Sequence, residues 1–333
     1  MKKIAVFTSG GDAPGMNACI RSVVRSAHYF GLEVFGIVKG YDGMIAGTFI
    51  EMDDRSVSNI IQKGGTILKS ARSEEFRTPE GRKKAYENIK AFGIDGLVAI
   101  GGNGTFTGAE IFHKEYGIPC IGCPGTIDND LFGTDFTIGY DTAVNTALGA
   151  IDKIRDTADA HDRIFFIEVM GRDTGYIAVR SAISGGAEMA IMPETKFSFK
   201  DLKAKLQHGT SQSKASHIII VAEGDVVGRA AKIADKVQRE LPGLDTKVST
   251  LGHVQRGGAP TAADRVLASR LGLGAVEGLI KGKSNVMVGI INRNITYTPF
   301  QETITKKKPI PKDLIRMIEI LNGRKYSQNP IVL

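Results

Sequence analysis

The fold is decided by residues 4–15, which read Ile4-Ala5-Val6-Phe7-Thr8-Ser9-Gly10-Gly11-Asp12-Ala13-Pro14-Gly15. Ile4–Thr8 is a predominantly apolar run, which is typical of a strand covered on both faces of a parallel sheet. The glycine-rich turn that follows leads into a segment from Pro14 to about Phe30 whose apolar residues recur at helical spacing. A buried strand, a glycine turn and an amphipathic helix in this order predict an α/β fold.

Short apolar runs alternate with helix-length segments along almost the whole chain. The 333 residues are more than one compact core usually needs, which predicts two domains with boundaries near residue 140 and near 252–258. Strand–helix alternation also predicts parallel strands joined by right-handed crossovers. The further candidate strands are Val34–Val38, Gly96–Ile100, Cys120–Cys123, Ile164–Met170, Ala190–Pro193, His217–Glu223, Val248–Gly252 and Val286–Asn292.

Composition and charge narrow the class of protein. The net charge is +7, yet the arginines are scattered singly and tryptophan is absent, so we expect small anionic ligands rather than nucleic acid. Three cysteines suggest a reducing, cytoplasmic setting, and Cys120 and Cys123 are expected to be ordinary buried thiols. No apolar run approaches the ~20 residues of a membrane helix, and the first residues enter a strand without a signal-peptide pattern, so we expect no membrane association.

Three strand-ending loops are the candidate binding loops, because ligands bind at the carboxyl ends of parallel strands. They are Thr8–Gly15, Gly101–Thr105 and Gly125–Asp130. The first two are glycine turns that lead into helices, where free N–H groups favour a phosphate. Either turn alone is weak evidence, and neither the Walker pattern nor the dinucleotide fingerprint is satisfied, since Glu277 and Thr107 stand at required glycines.

Two carboxylates, Asp128 and Asp130, stand in the third loop. Two residues apart in extended chain, they point the same way. Next to a phosphate site, such a carboxylate can take a proton from an attacking hydroxyl group or hold Mg²⁺. The pair could equally cap backbone N–H groups in a turn, and the two interpretations stay open on these residues alone.

Five strings taken together resemble the bacterial ATP-dependent phosphofructokinase family, in order and over nearly the whole chain. The resemblance implies two Rossmann-like parallel-sheet lobes with the active site in the cleft between them. It implies an ATP-binding lobe of residues 1–139 plus 255–305 and a sugar-phosphate-binding lobe of 140–254 plus 306–333. The strings are Thr8–Asn17, Ser70–Arg72, Pro124–Asp130, Glu168–Arg172 and Leu251–Gly258.

The resemblance also implies the reaction. The γ-phosphoryl group of MgATP would pass to the 1-hydroxyl of fructose 6-phosphate, giving fructose 1,6-bisphosphate and ADP in glycolysis. Asp128 would be the general base, and Thr126, Arg172 and Gly11 would complete the catalytic set. The ATP site would comprise Gly11, Arg72, Ser73, Gly102, Asn103, Gly104 and Thr105.

The remaining implied residues bind the sugar phosphate or effectors. Arg163 and Lys247 would reach across from a neighbouring subunit of a homotetramer. The sugar-phosphate set is Thr126, Ile127, Asp128, Asp130, Arg163, Met170, Gly171, Arg172, Glu223, Lys247, His253, Val254, Gln255 and Arg256. The set expected to bind ADP or phosphoenolpyruvate as effectors is Arg21, Arg25, Arg55, Asn59, Arg155, Gly186, Glu188 and Lys214.

The sequence departs from the family pattern at six positions: Asn103, Lys247, Asp54, Asn59, Gln212 and Ala215. Asn103 stands where the family places an aspartate associated with Mg²⁺, so we expect weakened metal use. Lys247 replaces an arginine, which removes the fork geometry and should weaken fructose 6-phosphate binding. Asp54 stands at an expected arginine, and a carboxylate repels phosphate, so we expect blunted effector responses.

Three alternative functions remain open on the sequence. Asn103 and the changed effector residues allow a catalytically weak, regulatory paralogue. A pyrophosphate-dependent enzyme of the same family is the second alternative, and a kinase for another sugar phosphate is a lesser one. Gly104 and Gly125 speak against pyrophosphate, because the pyrophosphate-using relatives fill nucleotide space with bulkier charged residues there.

We predict that Asn103→Asp raises turnover roughly 10- to 1000-fold at limiting Mg²⁺, because a carboxylate adds the negative charge that an amide lacks. Initial rates measured against graded Mg²⁺ for both proteins test this. Superimposable Mg²⁺ curves would contradict it.

Overall fold

The computed structural model describes residues 1–210, 217–224 and 228–322. The chain divides into two compact units, and each is described by itself. Unit 1 comprises Met1–Ala143 and Arg256–Lys308, and unit 2 comprises Val144–Gln255 and the segment that begins at Pro309. Which ligand each unit holds is not tested by this division and stays a prediction.

The helices and strands alternate as the sequence predicts, and the α/β fold class is confirmed. Unit 1 begins with β1 (Lys3–Thr8), α1 (Met16–Tyr29), β2 (Glu33–Ile37), α2 (Gly40–Ala46), β3 (Phe49–Met52), α3 (Pro79–Ala91), β4 (Gly96–Gly101), α4 (Asn103–Tyr116) and β5 (Cys120–Pro124). There follow α5 (Tyr140–Ala160), β6 (Ile164–Val169), α6 (Tyr176–Ser184), β7 (Met189–Ile191), α7 (Phe199–Thr210), β8 (His217–Ala222), α8 (Ala230–Glu240) and β9 (Thr246–Thr250). The last elements are α9 (Ala262–Ile280), β10 (Val286–Ile291), β11 (Asn294–Pro299), α10 (Phe300–Thr305) and α11 (Lys312–Asn322).

The sheet of unit 1 has the strand order β11-β10-β5-β4-β1-β2-β3. Its five inner strands run parallel, and the two edge strands pair antiparallel to their neighbours. The apolar pattern of the sequence predicts neither of the two edge strands, Phe49–Met52 and Asn294–Pro299. These strands carry polar residues and are only partly buried, so they lack the continuous apolar run that marks a strand covered on both faces.

The sheet of unit 2 has the order β7-β8-β6-β9, with all strands parallel. Ile164 at the start of β6 lies opposite His217 on one side and Thr246 on the other. The carboxyl ends of β6 and β8 therefore lie at one edge of the sheet, and the residues that begin β6 and β9 lie at the opposite edge.

An aromatic cluster forms the centre of the unit 1 core on one side of the sheet. Tyr41 stacks on Phe76 with ring centroids 3.9 Å apart and also contacts Phe7. The Tyr41 hydroxyl donates to the carbonyl oxygen of Thr105 at 2.5 Å, which ties the cluster to the first turn of α4. Burial raises the pKa of Tyr41 well above its usual value, so the hydroxyl keeps its proton and remains a donor.

The three cysteines are buried and reduced, as expected from the sequence. Burial raises the pKa of the Cys120 thiol to about 12, so this thiol is not a nucleophile at neutral pH. In the part of the chain that the structure describes, no helix combines the length and apolar character that crossing a membrane requires.

Asp264 joins the beginnings of two helices. Its buried carboxylate accepts the N–H groups of Gly139 at 2.9 Å and Thr142 at 2.8 Å, and the Thr142 hydroxyl at 2.5 Å. Burial raises the pKa of Asp264, while these donors lower it. The start of α9, which Thr261 caps through its hydroxyl, is thereby fixed to the start of α5.

We predict that Asp264→Asn destabilises the protein by about 1–3 kcal/mol, because an amide NH₂ group would face a buried N–H donor. Urea unfolding at pH 7 measures this, with the exposed Asp152→Asn as the matched control. A loss no larger than that of the control would refute the prediction.

Candidate active site

Three loops meet at one edge of the unit 1 sheet, because β1, β4 and β5 are adjacent and parallel. The N–H of Ser9 donates to Ile100 O at 3.1 Å, and the N–H of Gly125 donates to Gly101 O at 2.9 Å. The Thr105 hydroxyl donates to Ser9 O at 3.0 Å. The loops that the sequence singled out therefore form one continuous hydrogen-bonded surface.

The first loop, Ser9–Gly15, is shaped by glycine and braced by a second segment. Gly10 and Gly15 have φ values of 85° and 105°, which residues with a Cβ rarely adopt. The Ser70 hydroxyl donates to Gly10 O at 2.7 Å, and the N–H of Gly10 bonds to Ala71 O. The segment that carries the predicted ATP contact Arg72 thus lies directly beside the loop.

Arg256 lies over Gly11 in this loop. A Cβ on Gly11 would stand 2.0 Å from Nη1 of Arg256. The same Nη1 donates to the carbonyl oxygen of Asp12 at 3.4 Å. Glycine at position 11 is therefore what gives the guanidinium its place, and two residues from distant parts of the sequence are brought together.

The second loop ends at the exposed beginning of α4. Gly102 is the N-cap, and within the described chain no side chain caps this end and the first turn contains no acidic residue. The N–H groups of the first turn have no acceptor inside the helix, which makes this end a favourable anion site. The space around Gly104 is open, since no described atom lies within 4 Å of a Cβ placed there.

Two predicted contacts in these loops have a bracing role in the structure. The Thr105 side chain is buried against Ser9 O, so a phosphate would meet the backbone N–H of Thr105. The Ser73 hydroxyl oxygen accepts the N–H of Phe76 at 3.2 Å, two residues before the short 3₁₀ helix Glu75–Arg77 begins.

The surroundings of Gly125 are tighter than those of Gly104, and its role in leaving room for a nucleotide stays a prediction. A Cβ on Gly125 would meet the side chains of Ile100 and Met16, each at 3.1 Å. A larger residue at position 125 would therefore press on core side chains, whereas the space at Gly104 is open.

The third loop carries the acidic pair. Asp128 is 5% exposed, and its N–H donates to the Thr126 hydroxyl at 3.2 Å. The amide Nδ2 of Asn103 donates to Asp130 Oδ2 at 3.3 Å. Asn103 Oδ1 is buried and has no hydrogen-bond partner among the residues that the structure describes. The Ile127 side chain is buried, so any substrate contact there would come from its backbone.

A strained turn follows β6 in unit 2. Gly171 has a φ of 141° and Arg172 a φ of 53°, which is uncommon for a residue with a Cβ. The turn is held by side-chain oxygens that accept backbone N–H groups: Glu223 Oε1 from Arg172 at 2.8 Å, and Gln255 Oε1 from Met170 at 2.9 Å. Gln255 is fully buried and its side-chain oxygen braces the turn, and its predicted contact with substrate stays a prediction.

Arg163 and Lys247 lie at the end of the unit 2 sheet where its strands begin, and this turn lies at the opposite end. Arg163 precedes β6, and both cations bind Asp245, at 2.8 Å and 2.7 Å. The Lys247 ammonium and then the Arg163 guanidinium lower the pKa of Asp245. A six-residue strand spans roughly 20 Å, so unit 2 of one chain does not bring these cations to the Met170–Arg172 turn.

Comparison with known proteins identifies the family. The chain matches the family model described as phosphofructokinase over residues 3–279. The curated ATP-dependent 6-phosphofructokinase of Cytophaga hutchinsonii is 73% identical over 326 residues, which cover 98% of this chain and 99% of that protein. The chain belongs to the phosphofructokinase family.

Two further family members support this assignment. ATP-dependent 6-phosphofructokinase 2 of Bacteroides thetaiotaomicron is 54% identical over 322 residues, covering 97% of this chain and 99% of that protein. A solved structure of phosphofructokinase from Saccharomyces cerevisiae is 36% identical with a TM-score of 0.87, and it matches 97% of this chain. The match covers 47% of the yeast chain, so this chain spans about half the length of the yeast protein. Because the curated relatives are named ATP-dependent, neither the pyrophosphate-dependent nor the weak-paralogue alternative is favoured.

The residues expected at a family effector site fall in both units. Arg155 donates to the carbonyl oxygens of Gly185 and Gly186, and Glu188 Oε2 accepts the N–H of Ile218. Arg21 and Arg25 lie on α1, and Arg55 and Asn59 are exposed. Asp54, which stands at an expected arginine, pairs with His28 at 3.5 Å. Gln212, Lys214 and Ala215 lie outside the described residues.

His253 and Val254 are exposed in the 3₁₀ turn Gly252–Arg256. Several bracing residues of the site escaped the sequence analysis, because their partners are distant in sequence. Two of them had a sequence signal, because Ser70 and Asn129 lie in strings that carry the family resemblance. The bracing residues are Tyr41, Ser70, Asn129, Asp264 and Lys308.

We predict that Gly11→Ala folds normally but lowers kcat/KM about 10-fold or more, because the new methyl group displaces the flexible end of Arg256. Thermal unfolding and steady-state kinetics measure the two effects. Gly149→Ala is the matched control, since it adds a methyl group to α5 where a Cβ meets no described atom within 4 Å. Equal kinetics for the two variants would disprove the prediction.

Proposed function

We propose that the chain transfers the γ-phosphoryl group of ATP to the 1-hydroxyl of fructose 6-phosphate, forming fructose 1,6-bisphosphate and ADP. The observation that carries this proposal is the nearly buried Asp128, held by a loop that is hydrogen-bonded to the glycine turn opening α4. Membership of the phosphofructokinase family makes the chain a kinase, and the names of its curated relatives support these substrates.

ATP would bind mainly through backbone groups. The free N–H groups at the start of α4 and the Ser9–Gly15 loop would hold the phosphates, with Arg72 beside them. The open space at Gly104 leaves room for the nucleotide. The helix dipole adds a favourable field without any movement of side chains.

The chemical step would depend on position and charge. Asp128 would take the proton from the 1-hydroxyl, and burial keeps water from competing for its carboxylate. Arg172, in a turn fixed by Glu223, would neutralise charge on the transferring group together with Thr126. Met170, Gly171, His253 and Arg256 would hold the sugar phosphate.

The residues present fit Mg²⁺. Asn103 offers a buried amide oxygen that has no partner in the described chain, and Asp130 offers a carboxylate beside it. Across the described ranges, no group of three or more His, Cys, Asp or Glu residues is arranged to hold a metal ion. This small donor set suits Mg²⁺, which takes one or two protein ligands and completes its shell with phosphates and water. When bound, Mg²⁺ would neutralise charge on the ATP phosphates.

We propose a homotetramer in which the Arg163 and Lys247 of a neighbouring subunit complete each sugar-phosphate site. The support is their position at the far edge of the unit 2 sheet. Asp245 would hold both cations in place until an anionic substrate binds them. We further propose a cytoplasmic location and weak responses to ADP and phosphoenolpyruvate, because Asp54 occupies an expected cation position.

We predict that Asp128→Asn lowers kcat about 10²- to 10⁴-fold and changes the KM for either substrate only a few-fold, since the amide cannot accept the proton. A coupled assay for fructose 1,6-bisphosphate measures this, with pyrophosphate tested in place of ATP. The matched control is Asp235→Asn, an exposed carboxylate on α8. Full activity of Asp128→Asn, or a parent protein that forms no product, would end the proposal.

A further inference from the structure

The acidic pair lies in the loop of residues 125–139, which joins β5 to α5. Two side chains donate hydrogen bonds to one carbonyl oxygen of this loop, that of Asp135. Asp135 O accepts Lys308 Nζ at 2.8 Å and Asn129 Nδ2 at 3.4 Å. The backbone of Asp135 is fixed on its other side, where its N–H donates to Ile290 O at 2.7 Å. The carbonyl is therefore a fixed point to which two side chains tie the loop.

Asn129 crosses the inside of this loop. It stands between Asp128 and Asp130 with a φ of 54°, and it is 2% exposed. Its Oδ1 accepts the N–H of Thr137 at 3.0 Å, and the Thr137 hydroxyl donates to Thr126 O at 2.6 Å. The amide thus connects the peptide between the two aspartates with both ends of the loop.

Lys308 reaches the same point from a distant part of the chain. An antiparallel bridge between Leu131 and Lys307 brings its backbone alongside the loop. Burial lowers the pKa of Lys308 to about 8, while the charges of Asp135 and Asp130 raise it. Lys308 ends the basic run Lys306–Lys308. Its side chain is partly buried and its Nζ reaches the loop, whereas Lys306 and Lys307 are exposed.

We propose that Lys308 is a positioning residue, which holds Asp128 and Asp130 in place by closing their loop through Asp135. This inference rests on the proposed function, since it assigns Asp128 the proton transfer. Lys308 does not touch substrate in this scheme. Its ammonium acts on the backbone, and Asn129 shares the same anchor.

The first test compares Lys308→Met, Lys308→Arg and the matched control Lys307→Met. Because a small misplacement of a reacting group is costly, we expect Lys308→Met to lower kcat about 10-fold with each KM within two-fold of the parent. Lys308→Arg should recover at least half of kcat, since a guanidinium can also donate to the carbonyl. Lys307→Met should leave kcat unchanged. Equal losses in the two methionine variants, or a kcat for Lys308→Met within two-fold of the parent, would overturn the proposal.

A second test uses Asn129→Gly, which removes the amide and keeps the left-handed backbone accessible. The double variant combines Asn129→Gly with Lys308→Met. If both side chains act through Asp135 O, the fold-loss of kcat in the double variant is smaller than the product of the fold-losses in the two single variants. Losses that multiply would overturn the shared anchor. Thermal unfolding of the same four proteins should show the same coupling without any assay of activity.

A parent that makes no product but shows this coupling would refute the proposed function and keep the network, whereas an active parent without coupling would refute the network.

Discussion

The parallel pairing of β1 with β4 and of β4 with β5 is the constraint on which the unit 1 site depends. Thr8 lies opposite Ile100, and Gly101 lies opposite Pro124. Both faces of these strands are buried, so a slip of one residue would exchange the side chains that pack on the two faces, and core packing fixes the register. Because the register is fixed, the three loops begin at the same edge and can exchange the hydrogen bonds that make them one surface.

Backbone and side chains have different tasks around this surface. In the proposed site, the groups that would face an anion are mainly N–H groups at glycine turns and at the start of α4. Many side chains instead hold that backbone in place: Thr105 bonds to Ser9 O, Ser70 to Gly10 O, and Gln255 to the N–H of Met170. This division suits phosphoryl transfer, which needs groups held in position more than it needs covalent chemistry.

Asp130 has neighbours that reduce the cost of keeping two carboxylates in one loop. The Asn103 amide donates to it, and the charge of Lys308 acts on it from the side of Asp135. An aspartate at position 103 would add a second negative charge next to Asp130. The two charges would repel each other unless a cation bound between them, so this substitution would favour binding of a cation. In the proposed Mg²⁺ site, the asparagine would therefore lower the demand for metal, and its buried side-chain oxygen would be a ligand.

The sequence by itself determined the α/β class, the inner strands and the three loops, because buried parallel strands and glycine turns leave local patterns. It also indicated the family through strings that recur in fixed order. Tertiary structure alone decided that Gly125 faces the core, that Gln255 is buried, and that Arg163 and Lys247 lie away from the Met170–Arg172 turn. It also placed Lys308 against Asp135, 173 positions earlier. These features depend on contacts between residues far apart in the chain, and local patterns of polarity carry no record of such contacts.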